Sequence, residues 1–276
     1  MDWSDVVLLI LTVTILVLYV RLMLKNKRLR QLADGANRMR QQAAETERRN
    51  RQLKQEMTNN IAHELKTPVS SIRGYLEILL GDRPVDEERR RHYIERCYSQ
   101  TLRLTDLLQD VSIINKLEES ADLFPREAVD VRQVAQEAVD ELSDKAREQG
   151  IGVENRLPTA MPINGNRELL YCIFRNLVEN SVSYAGENAE VTIETYKEAA
   201  DSYYIHFYDT GAGVADEYLS RLFDRFVRID QGRSRRNGGT GLGLSIVKHA
   251  VLFHGGEIYA KNRPEGGLEF FFSLKK

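Results

Sequence analysis

HELKTP, residues 63–68, lies inside a run of strong helical periodicity. At about 100° per residue, Ile61, Leu65, Val69, Ile72, Leu76 and Leu79 fall within one apolar stripe. His63 lies almost opposite that stripe, with Thr67 and Ser70 beside it. A histidine so placed is not a core residue; it is set to meet something outside the helix. Pro68 cannot donate to the carbonyl of Glu64, so a helix through this point loses one rung and bends there.

Working outward, the helix is predicted to run to about Leu80, and GDRPVDEE (81–88) supplies turn chemistry. A second amphipathic run continues to about Leu117, with Tyr93, Ile94, Cys97, Leu102, Leu107 and Ile114 among its apolar positions. Two long helices joined by a short turn make a helical hairpin over residues 57–117. Such a hairpin cannot bury both stripes alone, and pairing with a second copy into a four-helix bundle solves the problem. EESADLFP (118–125) reads as a linker.

Upstream, residues 25–56 contain no proline and only one glycine, Gly35, with ten Lys or Arg against four acids. A weak heptad (Leu29/Leu32, Ala36/Met39, Ala43/Thr46, Asn50/Leu53) reads as a marginal coiled coil, with a solvated charged helix as the alternative. The basic excess also suits an anionic lipid surface. VVLLILTVTILVLYV (6–20) carries no charge, and extended to Leu24 it approaches the roughly 20 residues that span a bilayer. A cleaved signal peptide would want basic residues before the apolar core. Here Asp2 and Asp5 precede it, while Arg21, Lys25, Lys27, Arg28 and Arg30 follow. The expectation is a single membrane helix over 6–24, a tail of residues 1–5 outside, too short to be a sensing domain, and everything later in the cytoplasm.

The 276 residues carry a formal charge of −2, so composition gives no ground for nucleic-acid binding. Cys97 and Cys172 lie far apart in helix-like runs, as free thiols of a reducing compartment. From about Arg126 the pattern changes to alternating strands and helices. Residues 131–148 read as helix, 151–156, 190–196 and 203–208 as strands, and GEIYAK with LEFFFSL as a terminal hairpin. A separate α+β domain over 126–276 follows.

Four segments of that domain carry chemistry. In NRELLYCIFRNLVENSVSYA (166–185), Asn176, Asn180 and Ser183 cluster at the edge of a broad apolar face, and an amide oxygen is a hard ligand suited to Mg²⁺. Boundary asparagines bonded to local backbone are the alternative. YDTGAGV (208–214) places an acid after a strand, able to accept from an exocyclic amine, with Gly211 and Gly213 permitting close backbone approach. RLFDRFVRIDQGRSRRNGG (221–239) has the aromatic anchors and basic, glycine-bearing loop of a flap. GGTGLGLSIVKHAVLFHGG (238–256) puts glycines ahead of an apolar helix, a ready anion site that matches neither GxGxxG nor GxxxxGK[ST]. His92, His206, His249 and His254 lack metal-ligand spacing and read as structural.

Taken together, HELKTP, NLVEN, DTGAGV, RLFDRF and GGTGLGL, in that order over about residues 55–276, resemble a bacterial sensor histidine kinase. The resemblance implies a multidomain chain: a dimerisation and phosphotransfer hairpin, then an α+β two-layer sandwich of the ATP-binding type shared with gyrase, Hsp90 and MutL. It implies ATP and Mg²⁺ as cofactors and an aspartate of a response regulator as partner. His63 matches the phospho-accepting histidine, Glu64 the adjacent proton-accepting acid, and Thr67 the position that orients water for dephosphorylation. Asn180 matches the Mg²⁺-coordinating asparagine, Asn176 and Tyr184 nucleotide contacts, and Asp209 the acid that recognises the adenine amino group, with Gly211 and Gly213 beside it. Phe226 joins the nucleotide-binding set, and Gly239, Thr240, Gly241, Leu242 and Gly243 match the glycine box against the phosphates. Ser183 stands where a lysine is common, and Gln231 where a basic residue is frequent. The implied protein is a single-pass homodimeric kinase of the cell membrane. A non-catalytic, nucleotide-binding membrane scaffold paired with another kinase would not need His63, Asn180, Asp209 and the glycine box together. An ATPase of the gyrase or Hsp90 type leaves HELKTP unexplained.

Overall fold

The computed structural model describes residues 3–81, 84–119, 123–228 and 239–276, and falls into two units, Met1–Ile61 and Ala62–Lys276. Helix α1 (Trp3–Leu80) supplies all of the first unit and opens the second. In the first unit its surface is held by local pairs: Arg51 with Glu47, and the Thr46 hydroxyl on the Gln42 carbonyl at 2.8 Å. Of the expected heptad, Met39 and Thr46 are exposed, and the side chains of Leu29, Leu32, Ala36, Ala43, Asn50 and Leu53 lie outside the described set. Among the described residues no helix is long and apolar enough to cross a membrane. Within the expected anchor, the side chains of 6–13 and 17 lie outside the described set.

The second unit begins with the hairpin. After the turn, α2 (Glu87–Glu119) starts with Asp86 accepting from the Arg89 amide at 2.8 Å and carries Glu87 and Glu88 in its first turn, where acids favour the helix dipole. It runs antiparallel to α1. Tyr93 stacks on Tyr75 at 5.5 Å, Cys97 lies 3.8 Å from the Ile72 carbonyl, and Arg103 reaches Glu64. The α1 stripe is only half covered, with Val69 and Leu76 51% and 43% exposed. On α2, Ile94, Tyr98 and Leu102, four residues apart, form a second uncovered apolar row.

The α/β part follows the sequence closely. β1 (Glu127–Asp130) leads into α3 (Val131–Glu148), whose first turn is capped by the Asp130 carboxylate on the Arg132 amide at 2.9 Å. Val131, Val134, Ala135, Ala138, Leu142 and Ala146 make its buried face. Then come β2 (Gly152–Asn155), β3 (Pro162–Gly165) and α4 (Arg167–Tyr184), capped by the Asn166 amide oxygen on the Leu169 amide at 3.0 Å. β4 (Glu190–Glu198), β5 (Ser202–Asp209), α5 (Asp216–Leu219), α6 (Gly243–Phe253), β6 (Ile258–Asn262) and β7 (Leu268–Lys275) complete the chain.

The main sheet has the order β2-β4-β5-β7-β6, with only the β2–β4 pair parallel, and β1 and β3 form a separate antiparallel pair. α3, α4 and α6 pack together over one side, and Phe174, Phe207, Phe270, Phe272 and Ile193 fill the space between the layers. Burial of each such side chain is worth about 1.5–3 kcal/mol. The other face of the sheet carries His206, stacked on Phe271 at 4.3 Å and flanked by Glu269 at 3.1 Å and Glu194 at 3.5 Å. His254, by contrast, is buried (1% exposed). Its Nδ1 lies 2.7 Å from the Ala250 carbonyl, and its Nε2 accepts from the Asn166 amide at 3.0 Å, the pattern of a neutral ring. Burial holds its pKa down to about 4.

Candidate active site

The site is assembled from α1 and α2 of the hairpin, the C-terminal half of α4, the end of β5, and the loop that opens α6. At the β5 end Asp209 is 3% exposed. Its Oδ1 accepts from the Gly211 amide at 2.9 Å and the Leu268 amide at 3.2 Å, and its Oδ2 from the Ser181 hydroxyl at 3.0 Å. These three donors fix the carboxylate and leave acceptor capacity on Oδ2. A Cβ on Gly211 would overlap the Ala185 backbone at the end of α4. Gly213, at φ +69°, packs against Asn262, whose amide oxygen accepts from the Val214 amide at 2.9 Å. Both glycines are therefore required by the close passage of this loop.

One turn of α4 carries the asparagines. The Asn176 amide donates to the Cys172 carbonyl at 2.8 Å, and its oxygen is where a Cβ on Gly243 would fall. The Asn180 amide, half-buried, has no hydrogen-bond partner among the described residues. The Tyr184 hydroxyl stands 3.1 Å from where a Cβ on Gly239 would lie, so the end of α4 and the glycine box share one wall. Among the described residues no group of three or more His, Cys, Asp or Glu is arranged to hold a metal. A lone amide oxygen suits Mg²⁺ that takes its remaining ligands from phosphates and water, so the donor set fits that ion and not a dedicated protein cage.

The loop into α6 is shaped by backbone. Phe226 sits at φ +60°, an uncommon conformation for a bulky residue, and its amide donates to the Gly241 carbonyl at 2.7 Å. Gly241 is itself at φ +74°, and a Cβ there would come within 3.0 Å of the Phe226 Cα. Leu242 is fully buried, and Gly243 begins α6. The flap expected over 221–239 is described only to Arg228 and from Gly239; Gln231, Arg233 and Arg235 lie outside the described residues.

At the hairpin end the His63 side chain is 77% exposed, with Nδ1 4.0 Å from the Glu64 carboxylate, beyond hydrogen-bond reach. The cause is on the other side of Glu64. Its Oε2 accepts from Arg228 at 2.7 Å and lies 3.5 Å from Arg103, and all three side chains are under 20% exposed. Arg228 also donates to the Gly239 carbonyl. Thr67 stays on the flank of α1, its hydroxyl directed at the His63 carbonyl at 3.4 Å. A second link joins hairpin and loop: the Thr240 hydroxyl donates to Asp110 of α2 at 2.8 Å and accepts from the Leu242 amide at 3.1 Å. Burial pushes the Asp110 carboxyl up to about 6.

The structure thus brings Asn176, Tyr184, Asp209, Gly211 and the glycine box around one end of α4, and ties Glu64 to that group through Arg228. Sequence reading missed Arg103, Asp110, Arg228 and Asn262. Asp110 alone carried a signal, being an acid three residues after Leu107 and four before Ile114, which are 3% and 0% exposed.

Comparison with known proteins agrees with this geometry. Residues 53–120 match the His Kinase A (phospho-acceptor) domain, and residues 165–276 match the histidine kinase-, DNA gyrase B-, and HSP90-like ATPase. The sensor-like histidine kinase SenX3 of Mycolicibacterium smegmatis is 34% identical over 215 residues, 78% of this chain and 56% of that protein. The signal transduction histidine-protein kinase BaeS of Escherichia coli is 30% identical over 84% of this chain and 49% of its own length. The chain therefore spans about half the length of the curated relatives it matches. Among solved structures, the histidine kinase AdeS of Acinetobacter baumannii has the same fold, with a TM-score of 0.61 at 22% identity over 77% of this chain and 97% of that one. With its acceptor hairpin and its ATP-binding module in order, the chain belongs to the sensor histidine kinases of two-component systems.

Proposed function

We propose that this protein is an ATP-dependent protein-histidine kinase that phosphorylates His63 and passes the phosphoryl group to an aspartate of a response regulator. The observation that carries the reading is the junction at Glu64. An exposed histidine and a half-buried acid adjoin on the hairpin, and the acid is already bonded to an arginine of the loop that frames the nucleotide site.

Nδ1 is the ring nitrogen nearest Glu64, so its proton goes to that carboxylate while Nε2 attacks the γ-phosphorus of ATP. The N–P bond forms as the bond to the ADP oxygen breaks. Glu64 acts only once Arg228 has released it, because the ion pair holds it 4.0 Å from the ring. Asp209 accepts from the adenine amino group, and Asn176, Tyr184 and the amides of 239–243 face the rest of the nucleotide. Asn180 would hold Mg²⁺ through its amide oxygen, and the ion would neutralise charge on the phosphates. Catalysis rests on positioning. Thr67, one turn beyond His63, orients water for removal of the phosphoryl group from the partner.

The half-covered stripes of α1 and α2 support a homodimeric four-helix bundle, and the uncharged stretch within 6–24, basic on its C-terminal side, supports a single membrane anchor. The histidine kinase ThkA, solved in complex with the response regulator protein TrrA, shares the fold with a TM-score of 0.61 at 21% identity. The test is incubation of the chain with γ-labelled ATP and Mg²⁺ beside His63→Gln. Acid-labile, alkali-stable label in the parent and none in the variant is the expected result. Equal labelling of both sinks the assignment of His63, and no label with nucleotide bound points to the scaffold.

A further inference from the structure

The hairpin meets the glycine box at two points, and a carboxylate stands at each. Glu64 holds Arg228, and Asp110 holds Thr240. The second contact is a relay. The Thr240 hydroxyl donates to Asp110 and accepts from the Leu242 amide, one of the backbone donors at the start of α6. Backbone donors at a helix start, beside an arginine, make a natural site for phosphate. Here the arginine, and the threonine hydroxyl that occupies the Leu242 amide, are turned toward carboxylates of the chain's own hairpin.

Among the described residues no cation pairs with Asp110. Arg175 of α4 is the nearest cation in influence, but it bonds to Glu141 at 3.4 Å and Glu179 at 3.3 Å. Asp106 of the same helix and Glu179 add like charge, while Lys145 of α3 is bonded to Glu179 at 3.2 Å. Among the described residues Asp110 makes no ion pair. A half-buried acid without an ion pair contributes little to stability, so its occurrence on the apolar side of α2 calls for another role.

We propose that Asp110 is a positioning residue that competes with nucleotide phosphates for the glycine box: while Thr240 is bonded to it, the loop is docked on the hairpin and closed to a triphosphate. The proposal rests on the kinase reading above. ATP binding then requires Thr240 to leave Asp110 and Arg228 to leave Glu64, so loading the nucleotide and freeing the acid beside His63 become one event. The two hairpin carboxylates act as intramolecular stand-ins for phosphate.

The test is equilibrium binding of ATP and of adenosine to the full chain, to Asp110→Asn and to Asp110→Ala. Removing one charge close to the phosphate path is expected to tighten ATP binding about ten-fold in both variants. Adenosine, which has no phosphate, should change by less than about two-fold. Unchanged ATP affinity in folded variants overturns the competition while leaving the kinase reading intact. Equal tightening of ATP and adenosine also overturns it, since a general loosening of the domain would do that. Failure of the parent to bind ATP at all sinks both readings. Should one variant fail to fold, the other carries the same comparison, and Thr240→Val, which frees the Leu242 amide from the other side, must also favour ATP over adenosine.

Discussion

Two aspartates, one buried and one half-buried, mark the ends of the candidate site, and they are held in opposite ways. Asp209 has three donors from three segments, β7, the loop after β5 and α4, so its position is settled before any ligand arrives. Asp110 has one donor, a threonine hydroxyl on a loop that belongs to the ATP-binding module. On the function and the inference proposed above, the first is a seat and the second a catch. A carboxylate meant to recognise a ligand is over-determined by its own domain, and one meant to release is held by a single bond across two modules.

The largest effect should come from breaking the seat. Asp209→Asn places an NH₂ among donors, loses at least one charge-assisted bond, and leaves an amide or hydroxyl unsatisfied. ATP and adenosine affinity should both fall about 100-fold, with stability lower by about 2–3 kcal/mol, read by titration and by urea unfolding. Equal loss for both ligands is what separates this end of the site from Asp110, where only the phosphates should feel the change.

Stability against pH offers a second way to sharpen the contrast. His254 is held down to about 4 from its ordinary 6.5, so between those values the unfolded chain binds more protons than the folded one, and stability falls as the solution is acidified from 6.5. The full loss is about 3 kcal/mol. Asp110 is raised to about 6 from 3.8, so in its window the folded chain binds more protons, and stability falls as pH rises through 6. Between about 4 and 6 the two slopes oppose each other in the parent, at most about 1.4 kcal/mol per pH unit each. Asp110→Asn should unmask the acid-side loss and be the more stable chain at neutral pH by about 2 kcal/mol. His254→Gln should show the reverse slope and lose about 1–3 kcal/mol throughout, from the poorly satisfied Asn166 amide. Parallel pH profiles in the parent and Asp110→Asn would show that Asp110 does not titrate as its burial requires.

Much of this was legible in the sequence where a local rule acts alone. The helix read over 131–148 is α3 over the residues the structure gives it. The broad apolar face read in 166–185 lies on α4, and the period-2 run 203–208 lies within β5. The pair β1 and β3 escaped notice because four-residue strands bound 32 positions or more apart carry no period of their own. The same reason hides the hairpin end of the site. Glu64 and Arg228 are 164 residues apart, and Asp110 and Thr240 are 130 apart, so no spacing rule links them. Asp209 with its glycines is contiguous and could be read; its third donor, Ser181, could not.

The smallest expected effect lies at Pro68. Its missing N–H leaves the Glu64 carbonyl without its rung, one turn from the acid that Arg228 holds. If the helix bends at that point, the Glu64 side chain can shift between Arg228 and the His63 ring with little movement elsewhere. Pro68→Ala restores the rung and stiffens the turn. The ratio of autophosphorylation rate to response-regulator dephosphorylation rate should then change by about two- to five-fold, a fraction of RT in each barrier up to about 1 kcal/mol. Adenosine affinity, which reads the Asp209 seat without the phosphates, should stay the same, because among the described residues no hydrogen bond of Asp209 comes from α1. A changed adenosine affinity with an unchanged ratio would mean that the proline acts through the ATP-binding module and not on the acid, and both rates unchanged would remove Pro68 from the mechanism.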